Sequence, residues 1–264
     1  MAVAVKSAER ALAILELLTT NERALTFTDI AVTLQYPRSS LHALLHTLVE
    51  SGWVDFDESC RVYRLGIRTL EAGNVYSRSL GLAERALPLM EHVRDTLDET
   101  CQLAVLHGFC NVYVAKVDGR QTLTLASEVG RRLPAYATGV GKVLLAGLGQ
   151  AELETLLRGV RLERFTPHTI TDTARLRAHL DDVRRRGFAV DNEEYTIGIR
   201  CIAVPVLDFS RRVVAGLSVS VPAIRFTPSH RERARALLLD AASKLSSRLG
   251  YTTSAHSAHI TEVT

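Results

Sequence analysis

Cysteine is scarce in this 264-residue chain, and none of it is spaced for metal. Cys60, Cys101, Cys110 and Cys201 are the four present. No two form a Cys-x-x-Cys pair, so a thiolate zinc or iron–sulfur site has no ligand pattern to grow from. His42 and His46 stand at i, i+4, but the segment reads His-Ala-Leu-Leu-His. It lacks the glutamate that follows the first histidine of a zinc-peptidase helix. No metal and no cofactor are expected. Long apolar runs are missing as well. No stretch of about 18 apolar residues could span a membrane, and Met1–Leu18 is broken by Lys6, Glu9, Arg10 and Glu16, which excludes a signal-peptide core. The expected location is the cytoplasm, with the thiols reduced. Charge of one sign is also absent. The net charge is +3, and the first eighty residues hold eight basic and nine acidic side chains, against the basic balance usual for a nucleic-acid-binding domain.

What is present begins with length and composition. At 47% hydrophobic and 23% charged the chain is ordinary globular material, and its length favours two domains.

The most informative segment is Pro37–Leu48. Leu41, Leu44, Leu45 and Leu48 recur at i, i+3, i+4, i+7 and predict the buried stripe of a helix. The opposite face shows Arg38, Ser39, Ser40, His42, Ala43 and His46, with no carboxylate before Glu50. Such a short, acid-free face can enter a groove and bond to phosphates and base edges. Upstream, Ser7 to Thr19 predicts a first helix capped by Ser7. Thr26-Phe27-Thr28-Asp29 fits a capping box at the start of a second. Gln35-Tyr36 makes a tight turn, and Pro37 presets φ for the third helix. Two short helices joined this way form a helix-turn-helix whose second helix lies in the major groove. After Gly52, the stretches Trp53–Phe56 and Arg61–Leu65 alternate as two strands around a polar turn. They make a wing that would set Arg61 and Arg64 against phosphates. The alternative is a three-helix interaction module with a solvated hairpin.

From Leu82 to Thr100 the pattern is helical, with Leu82, Ala86, Met90, Val93 and Leu97 near a 3.5-residue spacing. Pro88 is expected to interrupt it or to begin its second half. This stripe would pair with its copy in another subunit or dock on the second domain. Beyond it, Cys101–His107, Asn111–Val117, Thr122–Ser127, Ile199–Leu207 and Arg212–Val221 read as strands. Gly139–Ala146, Gln150–Arg158, Asp172–Arg186 and Pro228–Leu249 read as helices. Antiparallel strands flanked by helices give an α+β domain, and the polar tail after Tyr251 is expected to be disordered.

Three segments of this half stand out. Thr138-Gly139-Val140-Gly141-Lys142 resembles a phosphate loop, but Tyr136 and Val143 occupy positions where a P-loop needs glycine and Ser or Thr. Its glycines either bring bare amides to an anion or allow close packing. Along Val213–Val221, Leu217, Val219 and Val221 alternate with Gly216, Ser218 and Ser220, so the two serines face either solvent or a cavity. Asp191–Tyr195, followed by Gly198-Ile199-Arg200-Cys201, is either a solvated acidic loop or a carboxylate at a pocket mouth.

Pro37–Leu45, Leu48–Gly52 and Tyr63-Arg64-Leu65-Gly66 together resemble the winged helix-turn-helix of the IclR-type (isocitrate lyase repressor) transcription regulators. Gln35 departs from that pattern, which carries glycine in the turn, and a left-handed backbone costs more there with Gln. The three C-terminal segments resemble the GAF-like effector domain of the same family, so the resemblance covers about residues 5–250. It implies a DNA-binding domain over 1–80, a linker helix over 81–100, an effector-binding domain over 101–251 and a tail over 252–264. It also implies a small-molecule site formed by Gly139, Val140, Asp191, Cys201, Ser218 and Ser220.

The function expected is a ligand-responsive regulator of catabolic genes. It would bind double-stranded DNA at a palindromic operator as a dimer or tetramer and respond to a small organic or aromatic acid. The competing readings are an enzyme using Cys201 as nucleophile, for which no histidine lies in the surrounding motifs, and a protein-binding module without DNA.

Overall fold

The structure is a computed structural model and describes residues 5–21, 23–120 and 128–252. It divides into two compact units, residues 1–80 and 81–264.

The first unit runs α1 (Lys6–Thr20), β1 (Leu25–Thr26), α2 (Phe27–Leu34), α3 (Arg38–Glu50), β2 (Val54–Asp57), β3 (Val62–Leu65) and α4 (Ile67–Leu80). Thr26 caps α2 through the anticipated box: its hydroxyl accepts from the Asp29 amide at 3.2 Å and its amide donates to the Asp29 carboxylate at 2.9 Å. Asp29, placed at that helix start, is held below the usual carboxylate range, chiefly by the Thr26 amide. The expected Ser7 cap is not formed. Helix α1 begins one residue earlier, at Lys6, and Val5 at the cap position supplies no side-chain acceptor. Leu41, Leu45 and Leu48 are buried with Ile14, Leu18 and Ile30 in one core. That packing, more than propensity, holds these short helices. Strands β2 and β3 pair antiparallel as the wing, and β1 adds to the far side of β3. Helix α4 was not visible as a separate element. Ile67, Leu70 and Val75 are exposed, so these apolar residues do not form the buried stripe that marks a helix in sequence.

The second unit runs α5 (Leu82–Leu97), β4 (Thr100–His107), β5 (Cys110–Val117), β6 (Arg132–Pro134), α6 (Gly139–Ala146), α7 (Gln150–Leu157), α8 (Thr173–Arg186), β7 (Ala189–Asn192), β8 (Ile199–Leu207), β9 (Val213–Pro222) and α9 (Pro228–Arg248). The strands form one antiparallel sheet in the order β6-β5-β4-β9-β8-β7. Leu217, Val219 and Val221 pack into a core with residues of α5 and α9. Ala104 and Ala203 belong to a second core with residues of α6, α7 and α8. The sheet is therefore covered on both faces, which buries Ser218 and Ser220 and excludes the solvent-facing reading of β9.

The apolar stripe of α5 is spent inside its own subunit. Leu82, Ala86, Met90, Val93 and Leu97 are all buried in that first core, so residues 81–100 dock on the second unit and do not form a free-standing connector. Helix α5 also runs unbroken through Pro88. Pro88 and Glu84 lie on the exposed side, where water can satisfy the carbonyl that loses its partner. The strand expected over Thr122–Ser127 and the tail over 253–264 lie outside the described residues.

Candidate functional site

Two candidate surfaces were read from the sequence, one in each unit. On α3, Arg38, Ser39, His42, Ala43 and His46 are exposed together, and Glu50 at the far end is the first acid. Arg38 lies 5.9 Å from the Phe27 ring centroid, and His42 meets the same ring edge-on at 6.4 Å. The base of this face is thus braced against α2. Ser40 differs. It is half-buried, and its hydroxyl accepts from the Arg10 guanidinium at 3.1 Å, which ties α3 to α1. In the wing, Arg61 is exposed at a left-handed φ of 54°. Arg64 is exposed but donates to the Asp57 carboxylate at 3.2 Å across the hairpin. Ser40 and Arg64 therefore already have hydrogen-bonding side-chain partners, while the other six are exposed, Arg38 and His42 against the Phe27 ring.

In the second unit a cavity of about 160 Å³ opens between the sheet and the start of α6, and Gly139, Val140, Asp191, Cys201, Ser218 and Ser220 all line it. The strand register brings them together. Asp191 on β7 stands opposite Cys201 on β8, which stands opposite Ser220 on β9. Ser218 stands opposite Gln102 on β4, a lining residue the sequence analysis passed over. Only the strand register brings it to the cavity. The Ser220 hydroxyl donates to Gln102 Oε1 at 2.9 Å, and Cys201 Sγ lies 3.1 Å from Ser220 Oγ. With its one proton committed to Gln102, Ser220 accepts from the thiol. Tyr113, Leu133 and Ile199 supply apolar wall. Tyr195 lines the cavity too, its ring 5.0 Å from that of Phe165.

Helix α6 closes the other side. The Thr138 hydroxyl accepts from the Gly141 amide at 3.1 Å and donates to Asn111 Oδ1 at 2.7 Å. The amides of Gly139 and Val140 belong to the first turn, where no intrahelical acceptor exists. The two glycines divide the two roles weighed from sequence. A Cβ on Gly141 would lie 2.3 Å from the Ala135 backbone, so Gly141 is needed for packing. A Cβ on Gly139 would make ordinary contacts of 3.4–3.5 Å with Asp191 and Cys201, two lining residues. Lys142 is not a phosphate ligand. It is fully buried, donates to Val190 O at 2.7 Å and pairs with the Glu194 carboxylate.

Electrostatics set the protonation of the site. Burial lifts the Asp191 carboxyl to about 7, against the opposing pull of Lys142 and a 2.7 Å bond from the Glu194 amide. Burial, then the neighbouring Asp191 charge, pushes the Cys201 thiol well above its ordinary range. The thiol is therefore neutral, and its hydrogen-bond partner is a serine, not a base. This is an environment for recognition, unlike that of an activated nucleophile. Among the described residues, no three His, Cys, Asp or Glu side chains gather where they could hold a metal ion. No described helix is long and apolar enough to cross a membrane.

The chain matches known proteins over nearly its whole length. Residues 7–58 match the IclR helix-turn-helix domain, and residues 74–247 match the bacterial transcriptional regulator IclR C-terminal domain. It is 37% identical over 247 residues to the HTH-type transcriptional regulator XynR of Escherichia coli, covering 94% of this chain and 98% of that protein. The crystal structure of Thermotoga maritima IclR is 32% identical and superposes with a TM-score of 0.73 over 93% of this chain and 99% of that one. An IclR homologue from Microbacterium hydrocarbonoxydans, solved in complex with 4-hydroxybenzoate, is 28% identical with a TM-score of 0.81, over 92% of this chain and 99% of that one. With a helix-turn-helix in one unit and a lined cavity in the other, the chain belongs to the IclR family of bacterial transcriptional regulators.

Proposed function

We propose that this regulator controls catabolic genes by binding a small organic or aromatic acid in the cavity of its second unit. Two or four copies would engage a palindromic operator through α3 and the wing. The observation that carries this reading is the convergence of Gly139, Val140, Asp191, Cys201, Ser218 and Ser220 on one cavity. Its size of about 160 Å³ limits the ligand. A cavity of about 150 Å³ accommodates benzene, so one six-membered ring or a short acyclic acid fits. The lining suits an acid with a second polar group. First-turn amides and the Ser218 hydroxyl can donate to the oxygens of such an acid. Below about pH 7 the protonated Asp191 can donate as well, which reconciles a buried aspartate with an anionic ligand. The Microbacterium relative bound to 4-hydroxybenzoate supports an acid of this size.

On DNA, Arg38 and Arg61 would meet phosphates, while His42, Ala43 and His46 would meet base edges. Ser39 would contact the backbone, and Ser40 and Arg64 would act after exchanging their present partners. A twofold pair places two α3 helices in major grooves about 34 Å apart. The test is a mobility shift of the duplex beside the protein's own gene, with and without small acids, at two salt concentrations. Retarded complexes that respond to an acid support the reading. Absence of any sequence-specific complex would favour a protein-binding module instead.

A further inference from the structure

Among the described residues that line the cavity, one is acidic and one is basic, Asp191 and Arg131. Their settings are opposite. Asp191 is buried on β7, whereas Arg131 is exposed immediately before β6. Arg131 is nevertheless carried on a fastened backbone. The Gly130 amide donates to Tyr113 O at 2.8 Å, the Tyr113 amide donates to Arg131 O at 3.2 Å, and the Arg131 amide donates to Glu128 O at 3.1 Å. These bonds tie the turn to β5 at Tyr113, itself a lining residue. The main chain of Arg131 is therefore fixed at the edge of the cavity. The field of the Arg131 charge reaches the interior too. Burial pushes the Tyr113 hydroxyl well above the usual phenol range, Cys201 and Asp191 add to this, and the Arg131 charge opposes it.

The interior beyond offers a different chemistry. Cys201, Ser220 and Gln102 form a neutral hydrogen-bonded row, suited to a hydroxyl or carbonyl and not to a second full charge. The cavity is thus polarised, with a basic residue at the exposed rim, apolar wall between, and a neutral polar row beside the Asp191 carboxyl within.

We propose that Arg131 is the specificity-determining residue of this site. It holds the carboxylate of a hydroxy or oxo acid at the rim while the ligand's second oxygen meets the Cys201–Ser220–Gln102 row. This rests on the effector reading of the cavity and adds an orientation to it. A planar guanidinium binds a carboxylate through two parallel hydrogen bonds, which a neutral amide cannot match.

The test is isothermal titration of the full chain and of its R131Q and R131K variants with 4-hydroxybenzoate, lactate and 2-oxobutanoate, each against its own amide, at millimolar concentrations. The wild type should bind at least one acid about tenfold more tightly than the matching amide. R131Q should lose about that factor for the acid and leave amide affinity unchanged, and R131K should recover part of it. A purely structural Arg131 would move acid and amide together. An unchanged acid-to-amide ratio in R131Q overturns the role of Arg131 and leaves the effector site standing. Failure of the wild type to bind any of the acids overturns both.

Discussion

Asp191 stands directly opposite Cys201 in the β7–β8 ladder and accepts a 2.7 Å hydrogen bond from the Glu194 amide. The pair places an ionisable carboxyl beside a neutral thiol on the cavity wall.

The first prediction concerns pH. The folded-state value of Asp191, near 7, lies above its unfolded value of about 3.9. The fold therefore favours the protonated acid. That contribution is complete below the unfolded value and is lost as pH rises toward 7. Asp191→Asn removes it, so the variant should lose less stability than the wild type between about pH 5 and pH 8. His179 and His230, both held below their usual value mainly by burial, act in the opposite sense. The readout is accordingly the difference between the two proteins in urea denaturation. A carboxylate ligand should also bind the wild type more weakly above pH 7, where Asp191 ionises.

The second concerns the turn before α3. Gln35 adopts φ 54°, ψ 35°, the left-handed region that costs a side chain about 1–2 kcal/mol. Gln35→Gly should stabilise the first unit by about 1 kcal/mol, seen as a higher denaturation midpoint with unchanged DNA affinity.

The third concerns the buried ion pair. Removing one partner of Lys142–Glu194 leaves an uncompensated charge. Lys142→Met or Glu194→Gln should each cost about 3–5 kcal/mol in chemical denaturation. The double variant should recover much of that loss, because replacing both partners is far less costly than removing one.

The fourth separates the two glycines of α6. Gly141→Ala should destabilise by about 3 kcal/mol, because its methyl meets backbone that cannot yield. Gly139→Ala should change stability by less than about 1 kcal/mol yet weaken ligand binding, because its methyl points at Asp191 and Cys201. Equal effects on stability would refute the division of roles.

Much of the architecture was legible because short-range physics dictated it. The leucine stripe of α3, the Thr26–Asp29 box and the alternation of β9 each report a local burial pattern. Elements without such a pattern were not legible. Helix α4 presents exposed apolar residues, and β7 spans only Ala189–Asn192, too short for a period to show. The site divides in the same way. Gly139, Asp191, Cys201 and the two serines sat in distinctive motifs. Gln102, Tyr113 and Arg131 did not, because only strand register and turn geometry bring them to the cavity. Nor could sequence alone reveal that Arg64 already pairs with Asp57, or that Ser40 faces Arg10.

The most direct measurement is fluorescence anisotropy of the duplex beside the protein's own gene, titrated with the wild type and with a Ser218→Val, Ser220→Val double variant. Each titration is run with and without an acid that raises the wild type's thermal stability. The wild type should change its operator affinity severalfold to a hundredfold on adding that acid, the range given by a coupling of about 1–3 kcal/mol. The double variant should bind the duplex equally well and show no response. A double variant that responds as fully as the wild type would contradict control of DNA binding through this cavity.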